Sequence, residues 1–120
     1  MSSPLTRLKL EYQQFVEERD WNQFQTPKNI AEAISIEASE LLECFLWHDN
    51  LDAAEIKEDD ELVNEIEEEL ADVIIYSLGM ASKLDIDLEQ AIDEKLAEND
   101  QRFDEERAEE ITEELQTYQH

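Results

Sequence analysis

Two helical seams, each broken near its centre by a carboxylate, constrain this chain more than any other feature. From Ile30, the residues Ile34, Glu37, Leu41, Cys44 and His48 recur at alternating steps of four and three, the spacing of one buried stripe on a helix. Leu62, Ile66, Glu69, Val73, Tyr76 and Met80 repeat the same steps, so Glu69 interrupts its stripe as Glu37 interrupts the first. Glu40 and Asp72 each follow three residues later and share a face with their partners. A chain folded on these seams brings four carboxylates to one helix interface.

Carboxylates that face a common core repel one another and resist burial. No Lys or Arg lies within one helical turn of either pair on the seam side. A hard divalent cation answers the repulsion most directly. Mg²⁺, with Mn²⁺ as a possible substitute, takes carboxylate oxygens and keeps water and phosphate as its other ligands. In so acidic a chain the opposing account puts these residues on a solvated rim, but two matched interruptions of two seams are harder to produce by accident than one.

One glycine and two prolines leave little material for the turns of a sheet, and the long Leu, Ile, Ala and Glu segments have helix period, so the expected class is all-α. Four helices are expected, over about 4–20, 27–47, 60–84 and 88–103, assembled as a four-helix bundle. Ser2 or Ser3 caps the first, Pro4 opens it, and Leu5, Leu8, Tyr12, Phe15, Val16 and Arg19 mark its inward stripe. Thr26-Pro27 starts the second, which is expected to end near Trp47-His48-Asp49-Asn50. Residues 49–60 are expected as a loop with room for one short helical turn, and Asp87 caps the last helix with Gln90 placed to complete a capping box. From Asp104 the chain becomes an acid run of a kind that is usually solvated or disordered, although Ile111, Leu115 and Tyr118 fall at helical steps, so that the tail is expected either to extend the fourth helix or to form a frayed fifth. The expected organisation is a domain over 1–103 and an acidic tail over 104–120. With 120 residues, 41% of them hydrophobic, the core is modest and better shared in an oligomer.

A net charge of −25 excludes the basic stripe that a nucleic-acid backbone requires and opposes binding to anionic membranes. No apolar run approaches the ~20 residues of a membrane span and no signal segment opens the chain, so a cytoplasmic protein is expected. Cys44, the single cysteine, is expected as a buried reduced thiol beside His48. A nucleophilic triad is excluded because the only other histidine, His120, is terminal. Neither acid pair ends in His, as a ferritin-like di-iron site requires, and no P-loop is present. Any phosphate must be held through metal and through scattered cations such as Lys28, Lys83, Lys95 and Arg102.

Glu37-x-x-Glu40 on one helix and Glu69-x-x-Asp72 on the next, with 28 residues between Glu40 and Glu69, resemble the signature of the MazG-like all-α nucleoside triphosphate pyrophosphohydrolases. Trp21-Asn22-Gln23-Phe24, Trp47, and Lys95, Asn99, Arg102 and Phe103 are similar to the branch that includes dCTP pyrophosphatases, although Phe103 stands where many relatives carry Tyr. The likeness covers about residues 5–103.

The resemblance implies hydrolysis of a nucleoside triphosphate, dCTP-like by preference, to the monophosphate and pyrophosphate, in nucleotide-pool housecleaning. Mg²⁺ would be held by Glu37, Glu40, Glu69 and Asp72, which are also the implied catalytic residues. The implied substrate contacts are Trp21, Asn22, Gln23, Phe24, Trp47, Lys95, Asn99 and Arg102, in a homo-oligomer, tetramer before dimer. Of the two tryptophans, Trp47 is expected to stack more firmly, because a helix end holds a ring better than a loop does. Two other readings compete. An acidic mimic of nucleic acid explains the charge but not Glu37 and Glu69 in seams, and a phosphoribosyl-ATP pyrophosphatase-like enzyme shares the acid pairs but makes less use of Trp21 and Trp47.

Overall fold

The computed structural model describes residues 3–48 and 52–118, and among them every regular element is helical. The helices are α1 (Pro4–Glu18), α2 (Pro27–Glu43), α3 (Ala53–Lys57), α4 (Asp60–Lys83), α5 (Leu88–Arg102) and α6 (Glu105–Thr117), with a 3-10 turn at Asn22–Phe24. They fall into two compact units, residues 1–86 and 87–120.

The caps explain where the helices begin. Ser3 accepts from the Thr6 N–H at 3.2 Å, and Thr26 from the Asn29 N–H at 3.2 Å, each just ahead of a proline at the first helical position. Asp52, Asp59, Asp87 and Asp104 open the other four in the same way. At Asp87 only that half of the expected capping box forms, because the Gln90 side chain donates instead to Glu94 at 3.0 Å. The short turn expected in 49–60 is α3; the expectations that fell on Ser2, Asp49, Asn50 and His120 lie outside the described residues.

In a chain with one glycine, aspartate supplies the left-handed residue at two helix ends. Asp20 (φ 54°) follows α1, where the Trp21 N–H reaches the Val16 carbonyl at 3.1 Å, and Asp85 (φ 52°) follows α4, where the Ile86 N–H reaches the Ala81 carbonyl at 2.9 Å.

One expectation needs correction. α2 ends at Glu43 rather than at 47, because the N–H groups of Phe45, Leu46 and His48 bond to carbonyls three residues back, at 3.0–3.1 Å, and tighten the last turn out of α geometry. Of the alternatives for the acidic tail, residues 105–117 form a separate further helix. Glu105 and Glu106 sit in its first turn, where the helix dipole favours negative charge, and Arg107 bonds Glu110 at 2.9 Å one turn on.

In the first unit α4 is the central helix, with α2, α1 and α3 packed on it. Every seam position of α2 and α4 is at least half-buried, but the fully buried residues of the unit are, among the described residues, only Val16, Ile30, Leu62, Leu78 and Ala81. Gly79 lies where α4 faces Tyr12 of α1, and a Cβ there would stand 3.7 Å from the ring, an ordinary contact. Gly79→Ala is therefore expected to stabilise the protein by about 1 kcal/mol through helix propensity, measured by urea unfolding. A loss of stability would show that α1 and α4 need a closer approach than this geometry contains.

Candidate metal centre and adjoining groove

The two interrupted seams meet. α2 and α4 run antiparallel, since Cys44 near the end of α2 shares a cavity wall with Glu65 near the start of α4. That places the centres of the helices, and so their acid pairs, opposite one another. Carboxylate oxygens of Glu37, Glu40 and Glu69 all lie within 4.8 Å of one another, and all three side chains are half-buried. Oε2 of Glu37 and Oε2 of Glu69 are shielded from solvent and have no hydrogen-bond partner. Asp72 is half-buried and close enough for its charge to act on Glu37, but it is not one of the tight group of three.

This crowding changes the acidity. The Glu37 carboxyl is raised above its ordinary value, first by the facing Glu69 carboxyl, beside which the protonated form is favoured, and next by desolvation, with the Asp72 and Glu69 charges adding to the effect. Glu40 is raised as well, through the close approach and charge repulsion of the Glu37 carboxyl. None of the ion pairs among the described residues involves these carboxylates. Three convergent carboxylates and two unpartnered oxygens are a donor set that fits a hard divalent cation such as Mg²⁺ or Mn²⁺.

Beside the cluster, Glu40, Glu43, Cys44, Glu65, Glu68 and Glu69 line an open basin of about 320 Å³. Desolvation pushes the Cys44 thiol up, Glu65 and Glu69 push it further, and its Sγ donates to the Glu40 carbonyl at 3.5 Å. It is a protonated thiol held in a seam.

Next to Asp72 opens a larger groove, of about 710 Å³, between α1 and α4. Leu8, Tyr12 and Phe15 form one wall, Ile75, Tyr76 and Leu78 another, and Trp21 and Gln25 close it from the connection. Trp21 meets Phe15 edge-on at 5.7 Å between ring centres, and Tyr12 stacks on Phe15 at 6.1 Å. Asp72 is the one member of the acid pairs that also lines this groove.

The expected substrate residues are distributed unevenly. Trp21 is in the groove wall and 48% exposed. Asn22 is engaged by Lys83, Gln23 donates to the Asp20 carbonyl at 3.0 Å, and Phe24 is exposed. Trp47 lies beyond the end of α2, is 87% exposed and does not line the groove, so the helix end that was to hold its ring firmly is absent. In the second unit Lys95 pairs with Glu98 at 3.4 Å, Asn99 is half-buried, and the Arg102 guanidinium lies 4.9 Å over the Phe103 ring. Tyr12, Gln25, Ile75 and Tyr76 were not anticipated as site residues; the available signal was Tyr76, one turn beyond Asp72 on the same face.

A model of the MazG-like family matches residues 32–117. The chain belongs to the MazG-like family. That match takes in both acid pairs and α6, and leaves α1 and the Trp21 connection outside it. Among MazG-like relatives, dCTP pyrophosphatase 1 of Mus musculus is 36% identical over 90 residues, which are 75% of this chain and 53% of that protein. The Homo sapiens protein of the same name is 33% identical over the same shares. The chain thus spans about half the length of the curated relatives it matches. A pyrophosphatase from Archaeoglobus fulgidus is 32% identical and superposes with a TM-score of 0.72, over 88% of this chain and 96% of that one.

The raised carboxyls make a testable statement about the metal-free protein. Because Glu37 and Glu40 hold protons more tightly when folded than their ordinary value of 4.5, the folded state binds the excess protons, and stability falls as pH rises from that value through the folded titration. In EDTA the thermal midpoint is expected to fall over this range less steeply for Glu37→Gln than for the unaltered chain. Taking the difference removes the contribution of the other acids, and equal slopes would mean that the cluster is not strained.

Proposed function

We propose that the chain is a Mg²⁺-dependent nucleoside triphosphate pyrophosphohydrolase that cleaves a deoxynucleoside triphosphate, dCTP first, to the monophosphate and pyrophosphate. The observation that carries the proposal is the cluster of Glu37, Glu40 and Glu69, with two unpartnered oxygens, next to an apolar groove that begins at Asp72. The relatives named dCTP pyrophosphatase 1 and the archaeal pyrophosphatase support the same reaction.

Glu37, Glu40, Glu69 and Asp72 would hold the metal, which when bound neutralises triphosphate charge and orients the attacking water. The chain's own residues do the rest. A carboxylate of the cluster accepts the water's proton as the water oxygen bonds to phosphorus, and the bridging phosphorus–oxygen bond breaks to release pyrophosphate. With the base in the groove, Trp21 offers an aromatic face, and Tyr12, Gln25 and Tyr76 offer hydrogen-bonding groups in a largely apolar wall. Family likeness, rather than position in the single chain, supports Trp47, Lys95, Asn99 and Arg102 as further contacts.

The thin core and the exposed apolar residues Ile36, Leu42, Leu46, Leu70 and Ile74 on α2, its final turn and α4 support a homo-oligomer, a tetramer before a dimer. Among the described residues no helix is long and apolar enough to cross a membrane, which is consistent with a cytoplasmic housecleaning role. The catalytic part in this proposal is residues 1–103, and the tail 104–120 supplies none of its groups.

The test is pyrophosphate release from dCTP, dTTP, dUTP, dATP and CTP, with Mg²⁺ and with EDTA. Glu69→Gln is expected to lose orders of magnitude in turnover with its helices intact by circular dichroism, whereas Glu110→Gln in α6 changes nothing measurable. A folded Glu69→Gln protein with ordinary turnover would remove the metal site from the reaction.

Trp21→Ala is expected to lower kcat/KM for dCTP by roughly 5- to 150-fold, the range corresponding to ~1 to 3 kcal/mol of base stacking. An unchanged constant in the folded variant would return the ring to a packing role.

A further inference from the structure

The connection that carries Trp21 is tied to the body of the fold by one cation. Among the described residues, Lys83 makes the only side-chain hydrogen bonds between distant parts of the chain, donating from Nζ to the Asn22 backbone carbonyl at 3.5 Å and to Asn22 Oδ1. The other side-chain hydrogen bonds span five residues or fewer. In a chain with nine Lys and Arg against 34 acids, the Lys83 ammonium goes to a neutral amide and makes no ion pair among the described residues. Its position follows from the sequence, since it ends the central helix α4.

Besides Lys83, the connection is held by Asn29 of α2, whose Nδ2 donates to the Phe24 carbonyl at 3.1 Å, and by the edge contact of Phe15 with Trp21. It begins at Asp20, in the left-handed region, contains one 3-10 turn, and has no fully buried residue between Val16 and Ile30. The Asn22 carbonyl that Lys83 approaches also accepts the Gln25 N–H at 3.1 Å. Behind the groove, Lys83 and Asn22 line a small cavity of about 30 Å³ whose wall includes Tyr12 and Gln25, both of which face the groove as well. The contact is therefore one layer of side chains from the groove.

We propose that Lys83 is a positioning residue: by holding Asn22 it fixes Trp21 and Gln25 as the loop-side wall of the groove, and so sets how firmly the base is gripped. The consequence for the base rests on the reading of the groove given under Proposed function; the consequence for Trp21 does not. Lys83 acts through Asn22 and not on the triphosphate.

Two measurements test it. With Trp47→Phe in the background, Trp21 is the sole tryptophan; under selective tryptophan excitation Lys83→Met is expected to shift its emission to the red and raise acrylamide quenching, and Lys83→Arg to restore both. In steady state with dCTP, Lys83→Met is expected to raise KM about fivefold, as for the loss of one hydrogen bond, with kcat changed less than about twofold. Asn22→Ala should reproduce this, and Lys83→Met with Asn22→Ala should be no worse than either alone. Unchanged emission and quenching in Lys83→Met would overturn the latch. Altered emission with unchanged KM would break its link to base binding, and additive losses in the double variant would mean that Lys83 meets the substrate itself. If the unaltered chain hydrolyses none of the five nucleotides, the proposed function fails while the fluorescence result still decides the latch. Should Lys83→Met not fold, Asn22→Ala carries both measurements.

Discussion

Repulsion between carboxylates on the α2–α4 interface is the constraint around which the rest of the structure is arranged. Three of them stand within 4.8 Å at the middle of the most extensive helix contact in the first unit. What keeps the helices together there is apolar burial on either side. Ile30 precedes Glu37 by seven residues and Leu62 precedes Glu69 by seven, and because the helices are antiparallel these two buried residues fall at opposite ends of the acid cluster. The repulsive centre is thus held from both ends by apolar burial.

α4 can serve both the cluster and the groove because of its helical period. Glu69 meets Glu37 and Glu40 of α2, while Ala71, Ile75, Tyr76 and Leu78 line the groove beside α1. Asp72 falls at the boundary between these faces. The same helix ends in Lys83, so one rigid element carries two of the four acids, one groove wall and the cation that bonds Asn22. Sites built on a single helix keep their spacing when loops move, which matters in a unit whose fully buried core is five side chains.

What the sequence revealed and what it hid follow from the range of each interaction. Helix starts were legible because a cap is local: Thr26 and Pro27 announce α2, and Asp87 announces α5. The acid cluster was legible because a charge in an apolar stripe is conspicuous and two matched stripes imply that they meet. The end of α2 was not, since Leu42, Phe45, Leu46 and Trp47 keep an apolar composition through the turn where the hydrogen bonding changes. α6 was legible only as one of two alternatives, because the helical spacing of Ile111 and Leu115 stands in a dense run of acids. The groove was hidden for a different reason. Tyr12, Ile75 and Tyr76 have the spacing of core residues, and periodicity identifies a face without saying whether a neighbouring helix fills it. Asn22 is the extreme case, because its partner lies 61 residues away.

On the proposed reading, the polarity of the site also fixes the direction in which a substrate lies. Asp72 alone of the four acids touches the groove, so a nucleotide with its base between α1 and α4 must pass Asp72 to bring its phosphates to Glu37, Glu40 and Glu69. A base lying in the groove would lose water on both faces, and the polar groups within reach become decisive for that reason. Apolar walls discriminate weakly between bases of similar size, whereas a buried donor or acceptor left without its partner costs far more. Gln25 and the two tyrosines are such groups, and Gln25 is also the residue whose backbone shares the Asn22 carbonyl with Lys83. Base selectivity in this fold therefore depends less on the aromatic face, which any base can stack on, than on how rigidly a short connection holds one amide at the groove wall.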